Sequence, residues 1–200
     1  MNLKTEKYLL QEARWPTEGE HILAHHDDGS IVVYQAYNFA IGRFAIEHGF
    51  LGGPHFSLSR MSWIKPNFLW MMYRSGWGTK EGQEITLGLR IRRRFFDSLL
   101  EQAVPSSHSA DKGRDLMQWQ IAVEQSNVRL QWDPDHGPSG ARLARRAVQL
   151  GLRGNVLRAF AKEELLEVID LSAFVAEQRV HAVGRDYSAL VTPLETVYSA

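Results

Sequence analysis

Apolar positions along the chain fall into short blocks of two different periods. Ile85, Leu87, Leu89 and Ile91 alternate with Thr86, Gly88 and Arg90, the two-residue period of a strand. Ile31-Val32-Val33-Tyr34-Gln35-Ala36-Tyr37 is β-branched and aromatic and follows the turn signal Asp27-Asp28-Gly29-Ser30, so a second strand is predicted there. Ala40, Ile41, Phe44, Ala45 and His48 recur at helical spacing behind Asn38, a residue suited to the N-cap, and Gly49 suits the C-terminal stop.

Gly52-Gly53-Pro54 breaks the chain. Pro66 suits the first turn of a short helix that buries Phe68, Leu69, Met71 and Met72 and ends at Gly76-Trp77-Gly78. Phe95, Phe96, Leu99, Leu100 and Ala103 mark an amphipathic helix, and Leu116 to Val123 a further one, separated by a Ser-rich loop from Pro105 to Gly113. Val128 to Trp132 reads as a strand, Asp133 to Gly140 as a loop, Ala147 to Leu152 as a strand and Val156 to Ala161 as a short helix. Leu165 to Leu171 is a last strand, and Ser172 opens a last helix. Strands interrupted by short, unevenly spaced helices predict a single α+β domain with a mixed or antiparallel sheet. Residues 1–20 are polar and read as a lead-in segment, either a short helix or extended, and 183–200 read as a tail.

Two hundred residues suffice for one substantial core. The 23 Lys and Arg balance the 23 Asp and Glu, which excludes a polybasic protein held to its partner by bulk charge, but not a local basic groove. The absence of cysteine excludes disulfides, thiolate nucleophiles and cysteine metal sites. No apolar run reaches the length of a membrane span, and the charged first residues lack the apolar centre of a secretory signal. A cytoplasmic protein without a membrane partner is therefore expected. His21, His25 and His26 lie close together but lack a further ligand at matching spacing, so no metal site is expected.

The chain contains no phosphate-binding glycine loop, dinucleotide fingerprint, zinc-protease motif or nucleophile elbow. Two arginine groups, Arg90 with Arg92 to Arg94 and Arg142 with Arg145, Arg146 and Arg153, are either solvated or phosphate-binding. The richest stretch is 57–79. There Ser57, Arg60, Lys65, Tyr73 and Arg74 are interleaved with Trp63, Trp70 and Trp77. A core helix explains its apolar side. An aromatic wall beside cationic and hydroxyl donors also suits a flat phosphorylated ligand.

The stretches IVVYQAY, FSLSRMSWIKPNFLWMMYRSGWGTK and VQLGLRG resemble the domain-of-unknown-function family 4291, over about His21 to about Phe174. The order of elements is also similar to the ADP-ribosyltransferase fold. Tyr34-Gln35-Ala36-Tyr37 would be its first strand, Phe56 to Ser59 a second strand leading into the helix, and Val148-Gln149-Leu150 the strand of the catalytic Glu. This resemblance implies a nucleotide ligand, NAD as substrate or a related nucleotide, and transfer of ADP-ribose to a nucleic-acid acceptor (RNA or DNA) or another acceptor. By layout, Gln35, Tyr73 and Gln149 take the catalytic positions. Tyr37, Ser57, Arg60, Trp63, Lys65, Trp70, Arg74 and Trp77 are the ligand-binding candidates. Arg60 or Arg74 would hold pyrophosphate, Tyr73 or Trp70 would stack, and Gln149 would position the ribose. Gln149 departs from the pattern: an amide can hydrogen-bond a ribose hydroxyl, but it carries no charge and is no general base. A non-enzymatic nucleic-acid-binding module and a structural or dimerising protein remain open beside this reading, as does the oligomeric state.

Overall fold

The computed structural model describes residues 3–184 and 186–199. The chain opens with β1 (Thr5–Lys7), α1 (Tyr8–Glu12), β2 (Gly19–Glu20), β3 (Leu23–His26) and β4 (Ser30–Tyr37). Next come α2 (Phe39–His48), β5 (Ser62–Ile64), α3 (Phe68–Ser75), β6 (Ile85–Arg92), α4 (Arg93–Gln102) and β7 (Val104–Pro105). They are followed by α5 (Leu116–Gln125), β8 (Val128–His136), β9 (Arg142–Leu152), α6 (Gly154–Arg158) and β10 (Leu165–Asp170). The chain closes with α7 (Ser172–Gly184), β11 (Val191–Pro193) and β12 (Thr196–Val197). This is the α+β architecture that the periodicities predict.

Two sheets carry the fold. The first has the strand order β10-β6-β4-β3-β12 and is antiparallel throughout. The second runs β2-β9-β8-β7, with β5 also paired to β9. They meet at one backbone bridge just beyond β5, where Tyr34 N donates to Lys65 O (2.7 Å) and Lys65 N donates to Tyr34 O (3.3 Å).

β4 is buried on both faces, which is why its sequence is nearly continuous in apolar residues. Ile31 and Val33 join Leu87, Leu89, Val148, Leu150 and Leu152 in one core. Val32 and Tyr34 join Phe68, Met72, Leu171 and Val175 in the other. Strand alternation puts Gln35 and Tyr37 on the Ile31/Val33 face, at the end where that core runs out.

Local signals behave as their chemistry demands. Asn38 Oδ1 accepts from Ile41 N at the start of α2, and Gly49 ends it at φ 73°. Asn67 caps α3 by accepting from Trp70 N, so the helix starts one residue past the cap rather than at Pro66. Glu195 Oε1 accepts from Phe68 N (2.8 Å) at the same end, and burial pushes this carboxyl well above its ordinary range.

Three sequence expectations are corrected. Phe56 to Ser59 is not a strand. Ser57 and Ser59 close on each other (Oγ to Oγ 2.9 Å), and only Ser62–Ile64 finds a partner edge, at Leu150–Leu152 of β9. Asp133 to His136 is not loop but the end of β8, paired to β9. Pro134 is tolerated because the register shifts between it and His136, so its missing N–H falls at an irregularity. The turn proper is short, with Gly137 N donating to Ala141 O.

The tail is the third case, since its described residues pair into the fold, as do those of the lead-in segment, where α1 is the short helix that the sequence allows. β1 pairs with β11 and β12 with β3. Buried Gln11 donates to Thr192 Oγ1 (2.9 Å) and Pro193 O (3.1 Å) and accepts from Glu195 N (2.7 Å). Trp15 is buried and donates through Nε1 to Glu195 O.

Candidate functional site

A cavity of about 570 Å³ opens where the two sheets part beside the Tyr34–Lys65 bridge. That size lies within the roughly 300–1,000 Å³ of small-molecule sites. Gln35 and Tyr37 reach it from β4, Arg60 to Trp63 from the loop and β5, Lys65 from the bridge, Arg74 from α3, and Gln131 and Gln149 from β8 and β9.

One wall is a closed hydrogen-bond network. Gln35 Nε2 donates to Ser62 Oγ (2.7 Å) and Trp63 O (3.0 Å), while its Oε1 accepts from the Tyr37 hydroxyl (2.7 Å). Burial pushes the Tyr37 phenol above its ordinary range, so it stays a donor at neutral pH. Gln35 thus has its amide oriented by both neighbouring elements, which is what a positioned polar edge requires.

The second feature is a set of three cations, Arg60, Lys65 and Arg74. Among the described residues, none of them has a carboxylate within 4.0 Å. The two arginines are exposed at the mouth, whereas Lys65 is only 5% exposed. Its ammonium lies 5.3 Å from the centre of the Trp70 ring. Burial, together with the charge of Arg74, lowers Lys65 to about 8, against the opposing pull of Asp133. A buried ammonium without an ion-pair partner is costly, and here the Trp70 ring and the charge of Asp133 offset only part of that cost.

The floor carries two amides, Gln131 and Gln149, both hydrogen-bonded to a carboxylate, Asp133, that is not itself part of the cavity lining. Gln131 and Gln149 face each other across β8 and β9. Gln131 Nε2 donates to Asp133 Oδ1 and Gln149 Nε2 to Asp133 Oδ2, both at 2.8 Å. Sequence reasoning placed Ser62 and Met61 in the informative segment 57–79 but missed Gln131 and Gln83, and with them the Asp133 that Gln131 holds. The alternation of Gln131 with Asp133 carried a strand signal, but the Asp-Pro-Asp-His-Gly-Pro composition hid it behind a loop reading.

Backbone approach shapes the remaining wall. A Cβ on Gly151 would lie 2.6 Å from Met61 Sδ and 3.0 Å from Trp63 Cε2. Gly151→Val is therefore expected to lower stability by about 1–3 kcal/mol through overpacking and to push Trp63 and Met61 out of place. Urea denaturation and Trp emission would check this; an unchanged midpoint would refute the close packing.

Gln35, Tyr37, Arg60, Trp63, Lys65, Arg74 and Gln149 are thus brought to one cavity. Tyr73 and Trp77 instead border a different cavity of about 420 Å³, with Tyr73 stacked on His136 at 3.5 Å and Trp77 Nε1 donating to Pro138 O. Trp70 is buried beneath Lys65, and Ser57 is exposed outside the cavity lining. In both arginine groups most members serve the fold. Arg90 pairs with Glu167 (2.9 Å), Arg145 with Asp135 (2.6 Å), and Arg153 Nε donates to Ser126 O (3.0 Å) beyond the end of α5. His25 and His26 are engaged with Leu194 O and Thr196 Oγ1. Among the described residues no three or more His, Asp and Glu gather as a metal site, and no helix is long and apolar enough to cross a membrane.

The fold and site define an α+β domain of two joined sheets with a cationic cleft at their junction. Within that class the chain belongs to the family of the domain of unknown function DUF4291, whose model matches residues 21–198. The chain matches no curated protein.

Proposed function

We propose that this domain binds a phosphorylated nucleotide, NAD or a relative of it, in the cleft between the sheets, and transfers ADP-ribose from it to an acceptor. The observation that carries the reading is the convergence on one cavity of Arg60, Arg74 and the buried ammonium of Lys65, none of which pairs with a carboxylate within 4.0 Å among the described residues. Guanidinium groups take phosphate oxygens in a bidentate way, and the Lys65 ammonium gains the counter-charge it lacks. Trp63 offers an aromatic surface for a base or nicotinamide, and the Gln35–Tyr37–Ser62 edge offers amide and hydroxyl partners for a ribose.

A second cavity of about 670 Å³ shares Gln131 with the first and carries Ser106, Ser107, Lys112, Trp132 and Arg146. That chemistry suits a nucleic-acid acceptor reaching the cleft from its far side.

Titration calorimetry with NAD, ADP-ribose, AMP and pyrophosphate tests the reading. Binding of the nucleotides is expected, weakened at least about tenfold in a double Arg60→Gln, Arg74→Gln variant through loss of charge-assisted hydrogen bonds. No heat with any of the four ligands would overturn it.

A further inference from the structure

We infer that Lys65 is a nucleophile whose side-chain amine forms an imine with a phosphorylated aldehyde held in the cleft; this rests on the phosphate part of the reading above, not on the ligand being a nucleotide. The backbone of Lys65 is pinned to Tyr34 by two hydrogen bonds (2.7 and 3.3 Å), and Pro66 follows it, so the side chain starts from a fixed base. The residue is only 5% exposed and lines the cavity of about 570 Å³. Among the described residues Nζ has no hydrogen-bond partner, yet it is not sealed off from solvent. For a side chain this buried, that opening is the cavity it lines.

The surroundings favour the neutral amine over the ammonium. No carboxylate among the described residues stands within 4.0 Å of Nζ, and the centre of the Trp70 ring lies 5.3 Å from it. Arg74 of α3 presses on it with like charge, Arg60 adds a second guanidinium to the lining, and Asp133 of β8 opposes them. Tyr37 of β4 is the remaining titratable group of the lining. Burial and Arg74 lower Lys65 to about 8. Desolvation beside another cation is how a lysine becomes nucleophilic near neutral pH. A lysine serving only as a counter-charge would gain from the opposite surroundings.

Arg60 and Arg74 supply the other half. A guanidinium keeps its charge in proteins and takes phosphate oxygens in a bidentate way, so two cations remain for a phosphate while Lys65 is neutral. In the step inferred, the Nζ lone pair forms a bond to the carbonyl carbon and the C=O π pair moves to oxygen. A proton passes from the nitrogen to that oxygen. The hydroxyl takes a proton from solvent and leaves as water while the nitrogen lone pair closes the C=N bond, and the iminium returns a proton to solvent. One amine and one aldehyde give one imine and one water, with no oxidant or reductant.

The test incubates the protein at pH 7 with pyridoxal 5′-phosphate, glyceraldehyde 3-phosphate or ADP-ribose, whose terminal ribose opens to an aldehyde. Borohydride reduces any imine to a stable amine, and peptide mass spectrometry locates it. Label is expected at Lys65, at least about tenfold above Lys4, Lys7, Lys80, Lys112 or Lys162, all of them exposed. That preference should shrink at pH 10, where exposed amines lose their protons too. Pyridoxal without its phosphate, and the Arg60→Gln, Arg74→Gln variant, should each label at least about tenfold less. Lys65→Arg, which keeps a charge without a nucleophile, should bind ADP-ribose within a few-fold of wild type and trap nothing in the cleft. Label on the exposed lysines with Lys65 bare overturns the imine. Equal labelling of Lys65 with and without the phosphate overturns the ligand class. ADP-ribose binding with no aldehyde trapped at Lys65 removes the imine and leaves the nucleotide cleft standing. Lys65 labelled by the two smaller aldehydes, in a protein that gives no heat with nucleotides, keeps the imine and brings down the nucleotide.

Discussion

Lys65→Met is expected to make the protein more stable and to weaken its binding of the proposed phosphorylated ligand. Lys65 is buried, has no carboxylate within 4.0 Å among the described residues, and is lowered from 10.5 to about 8 by burial and by Arg74, against a weaker opposing pull from Asp133. A folded-state value below the unfolded one means that the charged form is disfavoured by folding. At pH 7 both states are protonated, so the whole penalty is present, about 3 kcal/mol from the size of that displacement. The Trp70 ring beneath the ammonium offsets only part of it. Between pH 8 and 10.5 the unfolded chain holds a proton that the folded chain has shed, so wild-type stability rises with pH across that window.

Methionine removes the charge at similar volume. The melting temperature at pH 7 should rise by roughly 5–10 °C for a domain of this size, and the pH dependence between 8 and 10.5 should flatten. Ligand affinity behaves oppositely. The wild-type cleft should hold phosphate best below pH 8 and release it as Lys65 loses its proton, whereas the Met variant should bind weakly at every pH. Melting curves with and without ADP-ribose at pH 7 and 9 measure both. A Met variant less stable than wild type at pH 7 would mean that the ammonium has a partner that compensates its burial.

The second large effect lies behind the cleft, at Asp135 and Arg145. Arg145 Nη2 and Nε reach Asp135 Oδ2 at 2.6 and 2.7 Å, and Nη1 donates to Pro16 O at 2.6 Å. The guanidinium sits 5.4 Å from the Trp15 ring centre, and Asp135 Oδ1 accepts from His136 N. Both side chains are almost fully buried. Asp135→Ala leaves a buried guanidinium without its counter-charge, and Arg145→Met leaves a buried carboxylate; each should cost about 3–5 kcal/mol. Replacing both with apolar residues should recover much of the loss, because neither orphaned charge then remains. Chemical denaturation of the two single variants and the double variant gives the coupling directly. Additive losses would show that the two groups act independently, against the geometry. The pair also ties the first twenty residues to β8 and β9, so removing the lead-in segment is predicted to be as damaging as breaking the pair.

Much of the fold was legible because it is written in local chemistry. The alternation through Ile85 to Ile91, the β-branched run at 31–37, the Asn38 and Gly49 caps and the glycine stop at Gly76 each act over a few residues. Where several such signals agree, the backbone has one low-energy option. The readings that failed depended on strand pairing that residue type alone does not show, with a partner close along the chain in one case and distant in the others. Asp133 to His136 becomes strand only because β9 lies alongside it. The Ser57 region stays a turn because the free edge of β9 is met later, at Ser62. The two ends of the chain are structural because they meet each other and β3.

The candidate site divides along the same line. The segment 57–79 announced itself by composition, with cations and tryptophans crowded between breakers, and Arg60, Trp63, Lys65 and Arg74 do line one cavity. Composition could not say which cations would be left without a counter-charge. Arg90, Arg145 and Arg153 look the same as Arg60 and Arg74 in the sequence, yet the fold gives the first three partners in the protein. Nor could it separate Tyr73 from Arg74, adjacent residues that a helix turns toward different cavities, about 100° apart around its axis.

By itself, the sequence determined which elements form and that aromatic and cationic groups concentrate in one segment, since those depend on spacing and residue type. Only the tertiary structure decided that Lys65 is buried without an ion-pair partner, that Gln35 is locked by Ser62 and Tyr37, and that Gln149 donates to Asp133. Charge pairing, desolvation and cross-strand hydrogen bonds are properties of neighbours in space, and the parting of the two sheets chose those neighbours.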